Sequence, residues 1–288
     1  MVLYVNSRAM YMALFVLANL TMIPVMADQQ ASGNVFLNSQ GFFTQVSQGI
    51  PLHGLQQRRP MDQQTSFFSR FSPRYAHILF QVGGFSAMQG RAQNIGIEGL
   101  IGDRFTVTHH DDQNMLLGVG YFLNKIKQKR FSVLYGINTF YLAHTLVQGD
   151  VVQEDLFTNL SYRYSITNLP IYIAVKTLIS VSDKYNITVD LGIGPNIIQT
   201  SGFSESSLDE GIAIPDDAFS GRSSIALSAT IGIGLKLNNL LGRLPLEIGY
   251  RFFYLGQGYL AKETNQLMNN LNTGNSYANA LVMSTAIN

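Results

Sequence analysis

The sequence predicts an all-β protein, an eight-stranded antiparallel up-and-down β-barrel that spans a membrane. Apolar residues alternate with small or polar ones in eight segments, which is the period of a strand with one apolar face. The connections between these segments are alternately long and short, as in membrane barrels. Only 13% of the 288 residues are charged and 46% are hydrophobic, whereas soluble domains carry roughly a quarter of charged residues.

The N-terminal residues 1–27 are predicted to be a signal peptide. Arg8 precedes an apolar run from Ala9 to Val25, and a small-residue cleavage site ends at Ala27. An apolar run of about 17 residues is at the lower limit for a spanning helix, so a removable signal is favoured over an anchor. We therefore expect the chain to be exported.

Residues 28–74 are predicted to form an N-terminal arm, separate from the barrel at 75–288. The arm has no sustained period and carries nine glutamines before Thr65. Such a composition is typical of flexible segments. The pairs Phe42-Phe43 and Phe67-Phe68 leave an alternative open, in which the arm docks at the mouth of the barrel or inside it as a partial plug.

Five segments of the barrel alternate clearly. Odd-numbered residues are apolar from Ile225 to Leu237, while the even-numbered ones are small or polar apart from Ala226. The other four clear segments lie at residues 115–124, 131–141, 187–193 and 246–254. Each of the five predicts a strand with one apolar face.

Three weaker segments complete the count of eight strands. Residues 78–82 and 277–287 alternate less regularly. In a long segment from Phe157 to Val175 the apolar positions are even-numbered at first and odd-numbered at the end. A β-bulge near residues 168–170 is expected there, because one extra residue exchanges the two faces of a strand.

The predicted connections differ in charge as well as in length. The long ones, at 85–114, 142–156, 200–223 and 257–276, hold thirteen acidic and four basic side chains, a net charge of −9. The whole chain has a formal net charge of only +1, which gives no reason to expect nucleic acid as a partner. We expect an acidic surface at the long-loop end of the barrel.

The face opposite the apolar one is predicted to fill the lumen. A soluble barrel or sandwich also alternates, but it shows a charged face to water. Here that face consists mainly of Gly, Ser, Thr and Asn with few charges, so the apolar face is assigned to lipid. An eight-stranded interior is just wide enough for side chains, and a wide water channel is not expected.

Four charged residues are predicted to point into this lumen: Asp190, Lys236, Glu247 and Arg251. A charge in a narrow interior is costly unless it is paired, so we expect a salt-bridge network in which Lys236 pairs with Glu247 across a short turn. Two roles remain open for the network. It either holds the interior closed or forms a polar gate that admits ions.

The loops offer one candidate for a cation site, formed by Asp209, Glu210, Asp216 and Asp217, with a solvated acidic loop as the alternative. His109 and His110 do not predict a metal site, because adjacent side chains of an extended chain point to opposite faces. The chain contains no cysteine, which excludes thiol catalysis and cysteine-ligated zinc. We expect no catalytic residues and no cofactor.

From about Arg74 onwards, these alternating segments and connections resemble the small outer-membrane β-barrels of Gram-negative bacteria, the OmpA-like, OmpW-like and opacity-protein group. The resemblance implies an outer-membrane location, a periplasmic arm at 28–74, and contact with outer-membrane lipid, lipopolysaccharide and the barrel-assembly machinery. We expect a non-enzymatic surface protein whose acidic loops meet a host or surface ligand. A narrow channel or lateral-exit transporter for small or apolar solutes is the alternative. A lipid-modifying enzyme that would use His144 and Asp150 is a third hypothesis.

Overall fold

A computed structural model describes residues 76–128, 130–209, 211–241 and 244–287 of the chain. The predicted signal peptide at 1–27 and the arm at 28–74 lie outside these residues. No helix in the described ranges is long and apolar enough to cross a membrane. All regular secondary structure there is β-strand, in agreement with the period of two residues in the sequence.

The described residues form eight long strands and four short ones. In chain order the strands are β1 (Ala76–Met88), β2 (Gln93–Ile95), β3 (Asp103–Phe105), β4 (Asp111–Lys127), β5 (Phe131–Gln153), β6 (Phe157–Ser180), β7 (Tyr185–Ser207), β8 (Phe219–Ser220), β9 (Ser223–Leu241), β10 (Leu244–Tyr259), β11 (Ala261–Lys262) and β12 (Asn272–Ile287).

The eight long strands close into a ring. Each of them pairs antiparallel with the neighbouring long strands in sequence, and β1 also pairs with β12. Val82 of β1, for example, lies opposite Leu117 of β4 on one side and opposite Met283 of β12 on the other. The eight-stranded antiparallel barrel predicted from the sequence is confirmed.

A continuous apolar belt surrounds the outside of this ring. In β9, Ile231 and Ile233 are exposed on the outside. Thr230, on the opposite face of the same strand, is buried in the interior. Each wall strand contributes exposed apolar residues of this kind, such as Ile78, Val119, Ile137, Ile173, Ile187, Ile233, Ile248 and Leu281. Exposed apolar side chains on every wall strand are the lipid-facing surface of a membrane barrel.

The two ends of the barrel differ. The connections after β4, β6 and β9 are two to four residues long, and they lie at the same end as the start of β1 and the end of β12. We call this the short-turn end. At the opposite, outer end, β5, β6 and β7 continue past the apolar belt.

This extension corrects two sequence predictions. The expected long connection at 142–156 is wrong, because β5 runs to Gln153 and β6 begins at Phe157. Only residues 154–156 remain as a turn, in which Glu154 and Asp155 have positive φ angles of 52° and 58°. The strands can extend this far because they pair with each other and with the short strand β3.

The expected bulge in β6 at residues 168–170 is also wrong. Even-numbered residues of β6 stay buried from Leu160 through Lys176 without a change of phase. Near Asn168 the pairing shifts because of an extra residue in β5, between Leu142 and Thr145. The environment changes instead: beyond the belt the outer face meets water and the inner face meets an apolar core, so apolar residues move to the inner face.

That apolar core belongs to an outer cap, made of β2, β3, β8, β11, the extended ends of β5, β6 and β7, and the loops between them. Phe105 packs edge-on against Tyr162 and Phe219, with ring centroids 5.1 and 5.7 Å apart. Burial of aromatic and aliphatic side chains is the main stabilising contribution to such a core. Other buried members of the cap core are Ile95, Val147, Val151, Leu160, Tyr164, Ile166, Ile198, Leu260, Leu267 and Leu271.

Candidate functional site

Four charged side chains meet inside the barrel and form what we call the lumen charge cluster: Lys176 of β6, Asp190 of β7, and Glu247 and Arg251 of β10. The Nζ atom of Lys176 lies 3.1 Å from Oδ1 of Asp190 and 2.6 Å from Oε1 of Glu247. Nη2 of Arg251 lies 2.7 Å from Oδ2 of Asp190. The cluster therefore joins three wall strands through the lumen.

The cluster is neutral and almost fully buried. It holds two cations and two anions, and the exposed fractions of the four side chains lie between 4% and 11%. The Thr188 hydroxyl donates a further hydrogen bond to Oε1 of Glu247 at 2.9 Å. Buried charges are tolerated when they are paired and hydrogen-bonded in this way, whereas removal of one partner leaves a costly isolated charge.

Three of the four residues singled out in the sequence lie in this cluster, namely Asp190, Glu247 and Arg251. Lys236 does not join it. Its Cα atom is opposite that of Glu247 in the β9–β10 ladder, but the Glu247 carboxylate is bound by Lys176 instead. Among the described residues Lys236 forms no ion pair.

Sequence reasoning missed Lys176. The signal was present, since Lys176 has the same even-numbered phase as Tyr172 and Ala174, which are buried in the interior. The predicted strand ends at Val175, one residue before Lys176. The apolar residues that define this part of the strand, Leu169, Ile171 and Ile173, lie on the opposite, outward face.

An aromatic layer of Phe122, Phe140, Tyr172 and Phe253 fills the lumen beside the cluster. The Phe140 and Phe253 rings pack edge-on at 5.2 Å, and the Arg251 guanidinium lies 4.9 Å from the centre of the Phe140 ring. Glycine makes room for these rings, because a Cβ atom at Gly118 would come within 2.7 Å of the Phe140 ring. The layer and the cluster thus fill neighbouring levels of the barrel.

On the short-turn side of the cluster the lumen widens into a cavity of about 810 Å³, which we call the vestibule. Lys176 and Glu247 lie at its inner end, where they also belong to the cluster. Lys236 lines one wall of the vestibule, and Arg130 and Asp183, from the short turns, also line it. The interior is therefore hollow at one end, while the cluster, the aromatic layer and the cap core fill the levels beyond.

The loop residues proposed for a cation site make other contacts. The Asp209 carboxylate accepts hydrogen bonds from the Ala213 amide at 2.9 Å and from the Ser207 hydroxyl at 2.5 Å, and these contacts lower the pKa of Asp209. Asp217 accepts a hydrogen bond from the Glu205 amide at 2.9 Å. Glu210 lies outside the described residues. Within the described ranges, no group of three or more His, Asp or Glu side chains is arranged to hold a metal ion.

Glu205 is the buried acid of this loop region. Its Oε2 accepts a hydrogen bond from the Asp216 amide at 3.0 Å. Burial raises the pKa of Glu205, and the nearby Asp216 and Asp217 charges act in the same direction, while hydrogen bonds from the backbone oppose the shift. The carboxylates of Glu205, Asp209 and Asp217 thus accept hydrogen bonds from backbone amides of this loop region.

The two residues of the lipid-modification hypothesis do not meet. His144 and Asp150 lie on the same continuous strand, β5, six positions apart. Six residues of extended strand span roughly 20 Å, which is too far for a catalytic pair. Nε2 of His110 lies 3.6 Å from Oδ2 of Asp111, the next residue in the chain, and about half of each side chain is exposed.

Connections and strand ends of the cap expose large apolar side chains, which together we call the outer tip. Its apolar members are Leu100, Ile101, Leu156, Phe157, Leu208, Ile212, Ile214 and Met268. Ile212 and Ile214 are the most exposed, at 83% and 82%. Acidic residues flank these side chains in sequence: Glu154 and Asp155 precede Leu156, and Asp216 follows Ile214.

Comparisons with solved structures find barrels that cover about three quarters of this chain. The outer membrane protein OprG from Pseudomonas aeruginosa matches with 14% identity and a TM-score of 0.41, over 74% of this chain and 97% of its own. The outer membrane protease OmpT from Escherichia coli matches with 8% identity and a TM-score of 0.40, over 75% and 96%. Neisserial surface protein A matches with 6% identity and a TM-score of 0.36, over 74% and 96%.

No protein-family model and no curated protein sequence matches the chain. The fold itself identifies the chain as an outer-membrane β-barrel. Such barrels have a closed ring of antiparallel strands, an apolar outer belt, short turns at one end and longer connections at the other, and this chain has all four features.

Proposed function

We propose that the protein is a non-enzymatic surface protein of the outer membrane, whose outer cap binds a partner through the outer tip. The observation that carries the proposal is the exposure of apolar side chains on a cap that has its own buried core. A cap with such a core holds the tip residues on a folded platform. Exposed apolar patches bordered by polar residues mark protein interaction sites.

The filled interior supports this proposal over transport. From the vestibule outwards, a solute would meet the lumen charge cluster, then the aromatic layer and then the core of the cap. Phe140, Tyr172 and Phe253 are fully buried, and so is Tyr164 in the cap. Close-packed side chains at these levels favour a structural role for the lumen.

The acidic residues of the tip indicate the kind of partner. The connections that form the tip carry four acidic residues, Glu154, Asp155, Asp216 and Asp217. The basic residue Arg104 at the same end is already paired, because its Nε atom lies 3.7 Å from Oδ1 of Asp155. A surface that combines apolar side chains with negative charge complements a partner that combines apolar side chains with positive charge. We infer a cationic, amphipathic segment of a protein or peptide as the ligand class.

A binding assay with a defined probe tests this inference. The probe is a labelled peptide of alternating Lys and Leu, added to the refolded full chain in lipid nanodiscs, with a Glu and Leu peptide of equal length as the control. We expect the Lys peptide to bind, with an affinity that falls at high salt because screening weakens the attraction.

The double variant Ile212→Ser and Ile214→Ser should weaken this binding at least tenfold. A matched variant at the opposite end, Val181→Ser, removes an exposed apolar residue from a short turn and should leave binding unchanged. Equal binding of the two peptides, or unchanged binding in the double variant, would contradict the proposal.

A narrow channel is the second candidate function, because the vestibule reaches inwards as far as the lumen charge cluster. Conduction would require Lys176, Glu247 and Arg251 to separate and the aromatic layer to open. Ion conductance across a planar bilayer distinguishes this candidate from a closed surface protein.

A further inference from the structure

Among the described residues, the side chains that line the vestibule carry one positive charge in excess of the negative ones. Lys176 and Glu247 at its inner end belong to the lumen charge cluster, whose two cations and two anions balance. Arg130 and Asp183, both exposed, also line it and offset each other in charge. Lys236 remains, half-buried in the wall and without an ion pair among the described residues.

Polar and apolar side chains both line the vestibule. Lys236, Asn186 and Asn238, from β7 and β9, provide polar groups on one side. Leu79 and Leu134 are lumen-facing and buried, and they provide apolar surface from β1 and β5, next to His77 and Ser132 of the same strands. The volume of about 810 Å³ falls within the range of small-molecule binding sites.

We propose that the vestibule binds a small organic anion, a carboxylate with an apolar portion, which enters from the short-turn end. Lys236 binds the carboxylate, and the side chains of Leu79 and Leu134 contact the apolar portion. A charge-assisted hydrogen bond to a partly desolvated ammonium is stronger than one between neutral groups. This site lies at the opposite end from the outer tip and does not depend on the proposed surface function.

The test is an NMR titration of the refolded full chain with hexanoate, in a non-ionic detergent, with leucine methyl groups labelled. We expect saturable shifts at Leu79 and Leu134. Lys236→Gln should weaken hexanoate binding at least tenfold, because it removes the charge and keeps a polar side chain of similar length. The uncharged amide, hexanamide, should bind the wild-type chain as weakly as hexanoate binds Lys236→Gln.

The control variant is Lys184→Gln, which removes the same charge from the short turn before β7. Lys184 does not line the vestibule, and the substitution keeps its backbone hydrogen bonds with Ser182 and Asn238, which do. It should bind hexanoate like the wild-type chain. Equal binding of hexanoate and hexanamide would show that no anion site exists, and so would equal loss in the Lys184 and Lys236 variants. Absence of any methyl shift at Leu79 and Leu134 would overturn the proposal altogether.

Discussion

The ammonium group of Lys176 contacts both carboxylates of the lumen charge cluster, Glu247 at 2.6 Å and Asp190 at 3.1 Å. One lysine thereby connects β6 with β7 and β10 across the inside of the barrel. Backbone pairing joins β6 directly only to β5 and β7, so the contact with Glu247 adds a link that the ladder of the wall does not supply.

Replacement of Lys176 should destabilise the barrel strongly. Lys176→Met removes the cation that is bound to Glu247 and leaves Asp190 with Arg251 alone, and breaking a buried ion pair costs about 3 to 5 kcal/mol. We expect a lower urea midpoint for unfolding in lipid vesicles. Glu247→Gln in the same chain should recover part of the loss, since it discharges the isolated carboxylate. A midpoint no lower than that of Lys184→Met, in an exposed turn, would show that the cluster faces water.

A methyl group at Gly118 should destabilise the aromatic layer. The Cβ atom of Gly118→Ala would meet the Phe140 ring at 2.7 Å, and overpacking of this kind costs about 1 to 3 kcal/mol. Phe140→Leu in the same chain should relieve the clash and recover stability. Gly84→Ala is the matched control, because its Cβ atom would have no neighbour within 4 Å. Equal unfolding midpoints for the two alanine variants would refute the packing described for Phe140.

The apolar belt should not tolerate a charge, whereas the strands beyond it should. Ile231 is exposed in the belt, and an arginine at the membrane midplane costs about 2 to 4 kcal/mol. Ser161 lies on the outer face of the extended part of β6, where we expect Ser161→Arg to be tolerated because that face meets water. The yield of folded, heat-modifiable protein in the outer membrane measures both. If Ile231→Arg assembled as well as Ser161→Arg, the belt would not be the lipid-facing surface.

The pH dependence of the cap should reveal the burial of Glu205. Because its pKa in the folded state is raised, its contribution to stability is fully present below the ordinary carboxyl pKa and is lost as the pH rises through the raised value. Glu205→Gln should therefore slow hydrogen exchange of residues 208–222 at neutral pH and reduce the change seen on acidification, after correction for intrinsic exchange rates.

Asp209 provides the control with the opposite sign. Hydrogen bonds from Ala213 and Ser207 lower its pKa, so its contribution is present above the ordinary carboxyl pKa and is lost as the pH falls. Asp209→Asn should speed exchange of the same loop at neutral pH. If the Glu205 and Asp209 variants changed the exchange rate of the loop at neutral pH in the same direction, this account of the loop would be wrong.

Alternation in the sequence was sufficient to predict the ring, because within the belt the outward positions of every wall strand are mainly apolar. It was not sufficient to say what that face meets. Leu160, Tyr162 and Tyr164 alternate like lipid-facing residues, yet they point into the core of the cap. A period of two residues separates the faces of a strand but does not distinguish lipid from a protein core.

The lumen charge cluster shows a similar limit. The inward phase of Asp190, Glu247 and Arg251 could be read from their neighbours, but the partner of each charge depends on side-chain reach across the lumen. Lys236 is opposite Glu247 in the ladder, whereas Lys176 reaches Glu247 from β6, 71 positions away in sequence. Pairing across a lumen depends on the size of the ring and on the shear of its strands, which no local pattern specifies.

The closed interior is the central claim, and the most direct test is the conductance of the refolded full chain in a planar lipid bilayer. With the lumen charge cluster, the aromatic layer and the cap core in place, we expect no sustained ion conductance in the wild-type chain at moderate voltage. A stable, ohmic open state in every inserted molecule would contradict the filled lumen and would make the channel the better account of the protein's function.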